Sequence, residues 1–80
     1  MDLVRIDHVA FIGDTLVIYL NDGRAIQLEL ARYPWLWWLF KTSPEQRTRW
    51  EIVPTGGGIW WSDPDEGIEL QPLLEMQPLC

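Results

Sequence analysis

The segment Asn21-Asp22-Gly23-Arg24 separates two runs of alternating apolar and polar residues, and no other part of the chain constrains the fold as tightly. Asp-Gly in that setting favours a tight hairpin, because a primed turn needs positive φ at its central residues. Before it, residues 15–20 are rich in β-branched and aromatic side chains, with Leu16, Ile18 and Leu20 on one face and Val17 and Tyr19 on the other. After it, residues 25–30 turn Ile26, Leu28 and Leu30 one way and Gln27 and Glu29 to solvent. A preceding run, residues 3–12, also alternates. Strict alternation places Val4, Ile6, His8, Ala10 and Ile12 on one face and Arg5, Asp7, Val9 and Phe11 on the other. Gly13-Asp14 joins it to the next strand, so the first part of the chain reads as an antiparallel meander with one buried face.

Tyr33-Pro34 ends the meander, since proline fits the first position of a helix but not a central strand. Residues 35–41 make about two helical turns, with Leu36, Leu39 and Phe40 facing the sheet at i, i+3, i+4 spacing. Trp35 and Trp38 line an adjacent stripe, and with Trp37 the helix is apolar almost all round. Such a helix is either deeply buried or covered by a partner. Ser43-Pro44-Glu45-Gln46 then starts a second short helix: Ser43 caps, Pro44 takes the first helical position, and Gln46 completes a capping box. Residues 50–53 return as a strand, residues 54–58 form a Gly-rich turn, and residues 59–62 form the partner strand. An acidic loop over residues 63–67, a short extended piece at Ile68-Glu69-Leu70, a last helical turn at residues 71–76 and a frayed tail at 77–80 complete the reading. The expected fold is a single α+β domain over residues 1–76. Its antiparallel sheet consists of a three-stranded meander plus a second hairpin, with two or three short helices.

Eighty residues make one domain, and six Trp, two Tyr and two Phe supply a core but leave little room for a deep pocket. The net charge of −6 argues against direct nucleic-acid binding, because phosphate contacts rest on clustered Lys and Arg. The charge is uneven: residues 63–80 carry Asp63, Asp65, Glu66, Glu69 and Glu75 and no Lys or Arg. An acidic end on a nearly neutral body suits a basic partner surface, or serves solubility. The N-terminus has no apolar h-region and no run of about 18 apolar residues occurs, so neither secretion nor a membrane span is expected. Cys80 is the only cysteine, which excludes an internal disulfide and makes the cytoplasm the expected location.

The acidic group Asp63, Asp65, Glu66 and Glu69 invites a catalytic or metal-binding reading. Its spacing is not that of an EF-hand loop, and no second ligand cluster accompanies it. A structural loop pairing with Arg24, Arg47 or Arg49 is the simpler expectation. His8, the lone histidine, lies among apolar positions with no nucleophile near it in sequence, which fits a core or edge histidine better than a general base. Gly56-Gly57-Gly58 lacks the Lys-Ser/Thr ending and long helix of a phosphate loop, so no cofactor is expected. Six tryptophans are too many for so small an interior. Core packing accounts for Trp50 and Trp61, while Trp37, Trp38 and Trp60 are candidates for an interface, where Trp is enriched.

Several pieces occur in a distinctive order: Asp22-Gly23-Arg24 after a strand, Tyr33-Pro34, Ser43-Pro44-Glu45-Gln46-Arg47 with Trp50-Glu51, Gly58-Ile59 with Trp61, and Asp65-Glu66-Gly67-Ile68 before Leu73-Leu74. Together, over roughly residues 3 to 75, they resemble a bacterial family of small proteins, domain of unknown function 2442. The chain departs from the pattern in two places. Many members carry His where this chain has Trp60, and many have a shorter link before the Pro-Glu-Gln-Arg segment. The resemblance implies an α+β fold with an antiparallel sheet and no agreed enzymatic activity. Some members are joined to a helix-turn-helix domain, and others are encoded beside a small toxin-like protein and have been proposed as antitoxins. The expected function is therefore non-enzymatic: a regulatory protein, of antitoxin type, that binds a basic protein through Trp37, Trp38, Trp60, Asp63, Asp65, Glu66 and Glu69. A homo-oligomer that buries the spare tryptophans is the alternative.

Overall fold

The computed structural model describes residues 4–76, so the start of the first expected strand and the tail at 77–80, Cys80 included, lie outside the described residues. Two three-stranded antiparallel sheets pack their apolar faces together, with three short helices closing the core. The first sheet has the order β1 (Ile6–Ile12), β2 (Thr15–Leu20), β3 (Ala25–Glu29). Gly13, at φ 60°, takes the first central position of the β1–β2 turn, where a two-residue turn with glycine first needs positive φ.

The β2–β3 turn differs from the primed turn expected. Gly23 has φ 92°, but Asp22 is not in the positive region. The Leu20 carbonyl accepts from Gly23 N–H at 3.2 Å, and Arg24 closes the ladder by accepting from Leu20 N–H at 2.8 Å. The Asp22 carboxylate accepts from the backbone N–H of Arg24 at 3.0 Å and from its Nε–H at 2.7 Å. That local bond holds Asp22 in an ordinary turn, and glycine alone supplies the left-handed step.

Strict alternation also fails in β1. Ile6 pairs with Leu20 and His8 with Tyr19, so Asp7 is an extra residue in the strand, a β-bulge. One extra residue exchanges the two faces beyond it. Ile6 and Val9 are therefore both buried, and Phe11 faces the core. His8 and Ile12, expected among the buried positions, are exposed, Ile12 by 66%. Leu16, Ile18, Leu20, Ile26, Leu28 and Leu30 point inward as the pattern predicts; Val17 is also covered, outside the main core cluster.

Leu30–Arg32 and Pro34–Leu36 are single 3₁₀ turns, and α1 (Trp37–Phe40) continues from the second of them. Leu36 and Leu39 are buried and Phe40 half-buried, the spacing expected of this segment. α2 (Pro44–Arg47) follows Ser43. The second sheet has the order β4 (Trp50–Ile52), β5 (Gly58–Trp61), β6 (Glu66–Glu69), and α3 (Leu70–Met76) ends the described chain. The extended piece after the acidic loop thus turns the expected hairpin into a three-stranded sheet. Trp50 opposes Trp61, and Ile59 lies between Ile52 and Ile68; these positions face the core. The first sheet meets the β4–β5 loop through backbone, where Ile6 N–H donates to the Gly56 carbonyl at 2.9 Å, while Leu70 N–H donates to the Gly57 carbonyl at 2.9 Å and so extends the β5–β6 ladder by one bond.

Candidate partner-binding surface

The acidic loop is fixed from the α2 side. Ser43 Oγ accepts from Gln46 N–H at 3.1 Å, and Gln46 Oε1 accepts from Ser43 N–H at 2.9 Å, the reciprocal capping box expected here. Gln46 Nε2 then donates to Asp63 Oδ2 at 2.8 Å, which ties the start of the acidic loop to the helix N-terminus. The loop turns at Asp65, a non-glycine residue at φ 58°. From the other side Trp61, fully buried, donates its indole N–H to the Arg47 carbonyl at 3.1 Å.

The arginines do not pair with this loop, contrary to expectation. Arg24 pairs with Asp22 at 2.7 Å, Arg47 with Asp14 at 3.0 Å and Arg49 with Glu45 at 3.1 Å. Two of these partners are close in sequence, and Arg47 is drawn into the core instead. Asp22 is held below the usual carboxylate range, first by the backbone N–H of Arg24 and, against partial desolvation, by the Arg24 side chain. None of the ion pairs among the described residues involves Glu51, Asp63, Asp65, Glu66 or Glu69.

The seven candidate residues fall into separate places. Glu66 and Glu69 lie three apart on β6, so they point to opposite faces of the sheet. Glu66 joins Trp38 in an open groove of about 480 Å³, lined also by Lys41, Thr42, Gln46 and Pro64. Trp38 is half-buried and meets Trp61 edge-on at 5.7 Å, so much of it serves packing. Trp37 is 57% exposed, stacks obliquely on Phe40 at 5.2 Å and does not line this groove. Asp63 and Asp65 are exposed on the loop. No three His, Cys, Asp or Glu side chains come together as metal ligands among the described residues.

Trp60 and Glu69 lie on the outer face of the second sheet. Register places Glu51, Trp60 and Gly67 in one row across β4, β5 and β6, with Gly58 opposite Glu69 in the next. Trp60 is 40% exposed, and a Cβ built at Gly67 would meet its Cε3 at 2.9 Å, so the indole lies against a position kept bare. Trp60, Gly57, Gly58, Gly67 and Glu69 line a groove of about 290 Å³. Glu51, directly across from Trp60, was not among the residues singled out from sequence; the alternation Trp50-Glu51-Ile52, paired antiparallel to Ile59-Trp60-Trp61, carries that information once the register is known. His8, exposed at the edge of β1, stacks on Tyr19 at 6.0 Å and meets Trp50 edge-on at 5.5 Å.

A family model described as "Protein of unknown function (DUF2442)" matches residues 6–78. The chain belongs to this family. Two solved structures share its fold. A crystal structure of a protein of unknown function from Rhodospirillum rubrum superposes with a TM-score of 0.75 at 18% identity, covering 92% of this chain and 88% of the other. A solution NMR structure of an uncharacterised protein from Chromobacterium violaceum superposes with a TM-score of 0.72 at 23% identity, covering 89% of this chain and 64% of the other, just under two thirds of it. No match was found among curated proteins. No helix among the described residues is long and apolar enough to cross a membrane.

Proposed function

We propose that this DUF2442 chain is a non-enzymatic regulatory protein that binds another protein with a basic surface, in the manner of an antitoxin that neutralises a small basic protein in the cytoplasm. The observation that carries the reading is the outer face of the second sheet, where an exposed Trp60 stands between Glu51 and Glu69, neither of them in an ion pair among the described residues. Exposed indoles with unpaired carboxylates around them match the makeup of protein interfaces, in which Trp anchors and complementary charge gives register and association rate. The acidic C-terminal stretch extends the same field. The test is affinity capture by the tagged chain from lysate of its source organism, followed by reconstitution with the purified partner. A basic protein that binds stoichiometrically, and whose activity the chain suppresses, is the expected result. A chain that sediments as a monomer and retains no protein overturns the reading.

Trp35 and Trp37, 43% and 57% exposed in successive helical turns, favour a second reading in which two copies cover each other's aromatic surface. Sedimentation at micromolar concentration separates the two, because self-association needs no lysate.

A further inference from the structure

We propose that the groove between Trp60 and Glu69 receives one guanidinium group of the partner, an arginine side chain laid on the Trp60 indole with its N–H fork on the Glu69 carboxylate. The inference rests on the partner-binding reading above and gives that reading a chemistry.

The groove has the size, floor and charge for such a guest. Its volume of about 290 Å³ suits one side chain, falling at or below the ~300–1,000 Å³ of clefts that hold drug-sized ligands. Gly57 and Gly58 line it without side chains, which lets another group approach the backbone closely, while the Trp60 ring covers Gly67. Trp is the ring that attracts a cation best, over its face within about 6 Å of the centroid. The Trp60 ring is already placed: it lies against Gly67, where a Cβ would stand 2.9 Å from Cε3, so binding orders it little further.

The field around the ring is negative. Glu69 lines the groove, and Glu51 faces Trp60 across the strand pair, where directly opposed Cβ atoms are about 4.5–5.5 Å apart. Neither carboxylate has an ion-pair partner among the described residues. No Lys or Arg is among the residues that line this groove. The groove beside Trp38 differs, because Lys41 lines it with Glu66 and supplies a cation from within the chain. Arginine fits better than lysine: its guanidinium is planar, stacks on aromatic faces, pairs with carboxylates through two N–H groups and sheds water more easily than an ammonium.

The experiment is a titration of the ¹⁵N-labelled full chain at low salt with N-acetyl-tetra-arginine amide, followed by two-dimensional NMR, with tetra-lysine and tetra-glutamate peptides as comparisons. The expected result is saturable shifts at the Gly57, Gly58, Gly67 and Glu69 amides and the Trp60 indole N–H, with arginine binding tighter than lysine and glutamate not binding. E69Q and W60A each weaken tetra-arginine binding by about tenfold, while D63N, the same charge change on the loop, leaves it within about twofold. Melting curves establish that each variant is folded. Shifts spread over the whole acidic surface, or equal losses for D63N and E69Q, overturn the pocket and leave the partner-binding reading standing. No binding of tetra-arginine also overturns the pocket, and the capture experiment then decides the broader reading by itself.

Discussion

Arg47 ties the distant Gly13-Asp14 turn to the end of the neighbouring helix α1. Its Nη1 donates to Asp14 Oδ1 at 3.0 Å and to the Gly13 carbonyl at 3.3 Å, and its Nη2 to the Phe40 carbonyl at 2.9 Å. The guanidinium lies 5.6 Å from the Phe11 ring centre, and the residue is 8% exposed. Its Nε is buried without a hydrogen-bond partner among the described residues, a cost set against the three bonds its terminal nitrogens make. The carbonyl contacts matter more than the carboxylate, because the Asp14 side chain is 63% exposed and water can replace the arginine there. R47M should therefore cost about 2–4 kcal/mol in denaturant unfolding, from stranded acceptors at roughly 1–3 kcal/mol each, whereas D14N should cost at most about 1 kcal/mol. Equal losses would contradict this division. Sequence alone could not assign the pairing. Charge counting offers Arg47 many carboxylates, and only the folded chain brings the Gly13-Asp14 turn to α2. Asp22 makes a pH prediction. Its carboxyl titrates below the ordinary value because Arg24 bonds the charged form, so the stabilisation is present above the unfolded value of about 3.9 and lost as pH falls through the lower folded value. Melting temperature of the wild type should fall more steeply than that of D22N below about pH 4.

At the scale of elements, legibility followed locality. The capping box at Ser43 and Gln46 is written within four residues, and it appears as read. S43A should lower stability by about 1 kcal/mol, which is roughly 4–8 °C in melting temperature for a domain of this size. The link from Gln46 to Asp63 joins residues 17 apart and was not legible. A double-mutant cycle with Q46A and D63A should give a coupling of about 0.5 kcal/mol or more, and none if the bond does not form in solution. The bulge at Asp7 was equally hidden, because an extra residue is defined only against the partner strand, and it moved His8 and Ile12 from the expected core to the surface. The aromatic helix was half legible: Leu36 and Leu39 are buried as their spacing requires, yet Trp35 and Trp37 are exposed, since a four-residue α1 has one face to bury. Gly67 carries the most demanding backbone position in the second sheet. A Cβ there would stand 2.8 Å from the Ile59 carbonyl, which strand pairing holds in place. G67A should cost about 1–3 kcal/mol, the range for forced overpacking.

For the whole molecule, the balance of charge and aromatic surface points outward. Four of the six bases are engaged in ion pairs with Asp14, Asp22, Glu29 and Glu45, all before β4, whereas the carboxylates on and after β4 form none among the described residues. The carboxylates outside ion pairs thus lie on the second sheet, its loop and α3, with Glu51 and Glu69 beside Trp60 on the sheet's outer face. The α+β class, the meander and the family were all legible from the chain, because strand pattern and short motifs survive without tertiary knowledge. The candidate site was legible only in part. Trp60 and Glu69 meet on one face, Trp38 and Glu66 on another, and Glu51 joins the first pair through register alone. Parallel capture by the wild type and by a W60A/E51Q/E69Q variant of unchanged fold tests the central claim most directly. A basic protein held by the wild type and lost from the variant is the predicted result; equal capture by both would contradict the assignment of binding to this face.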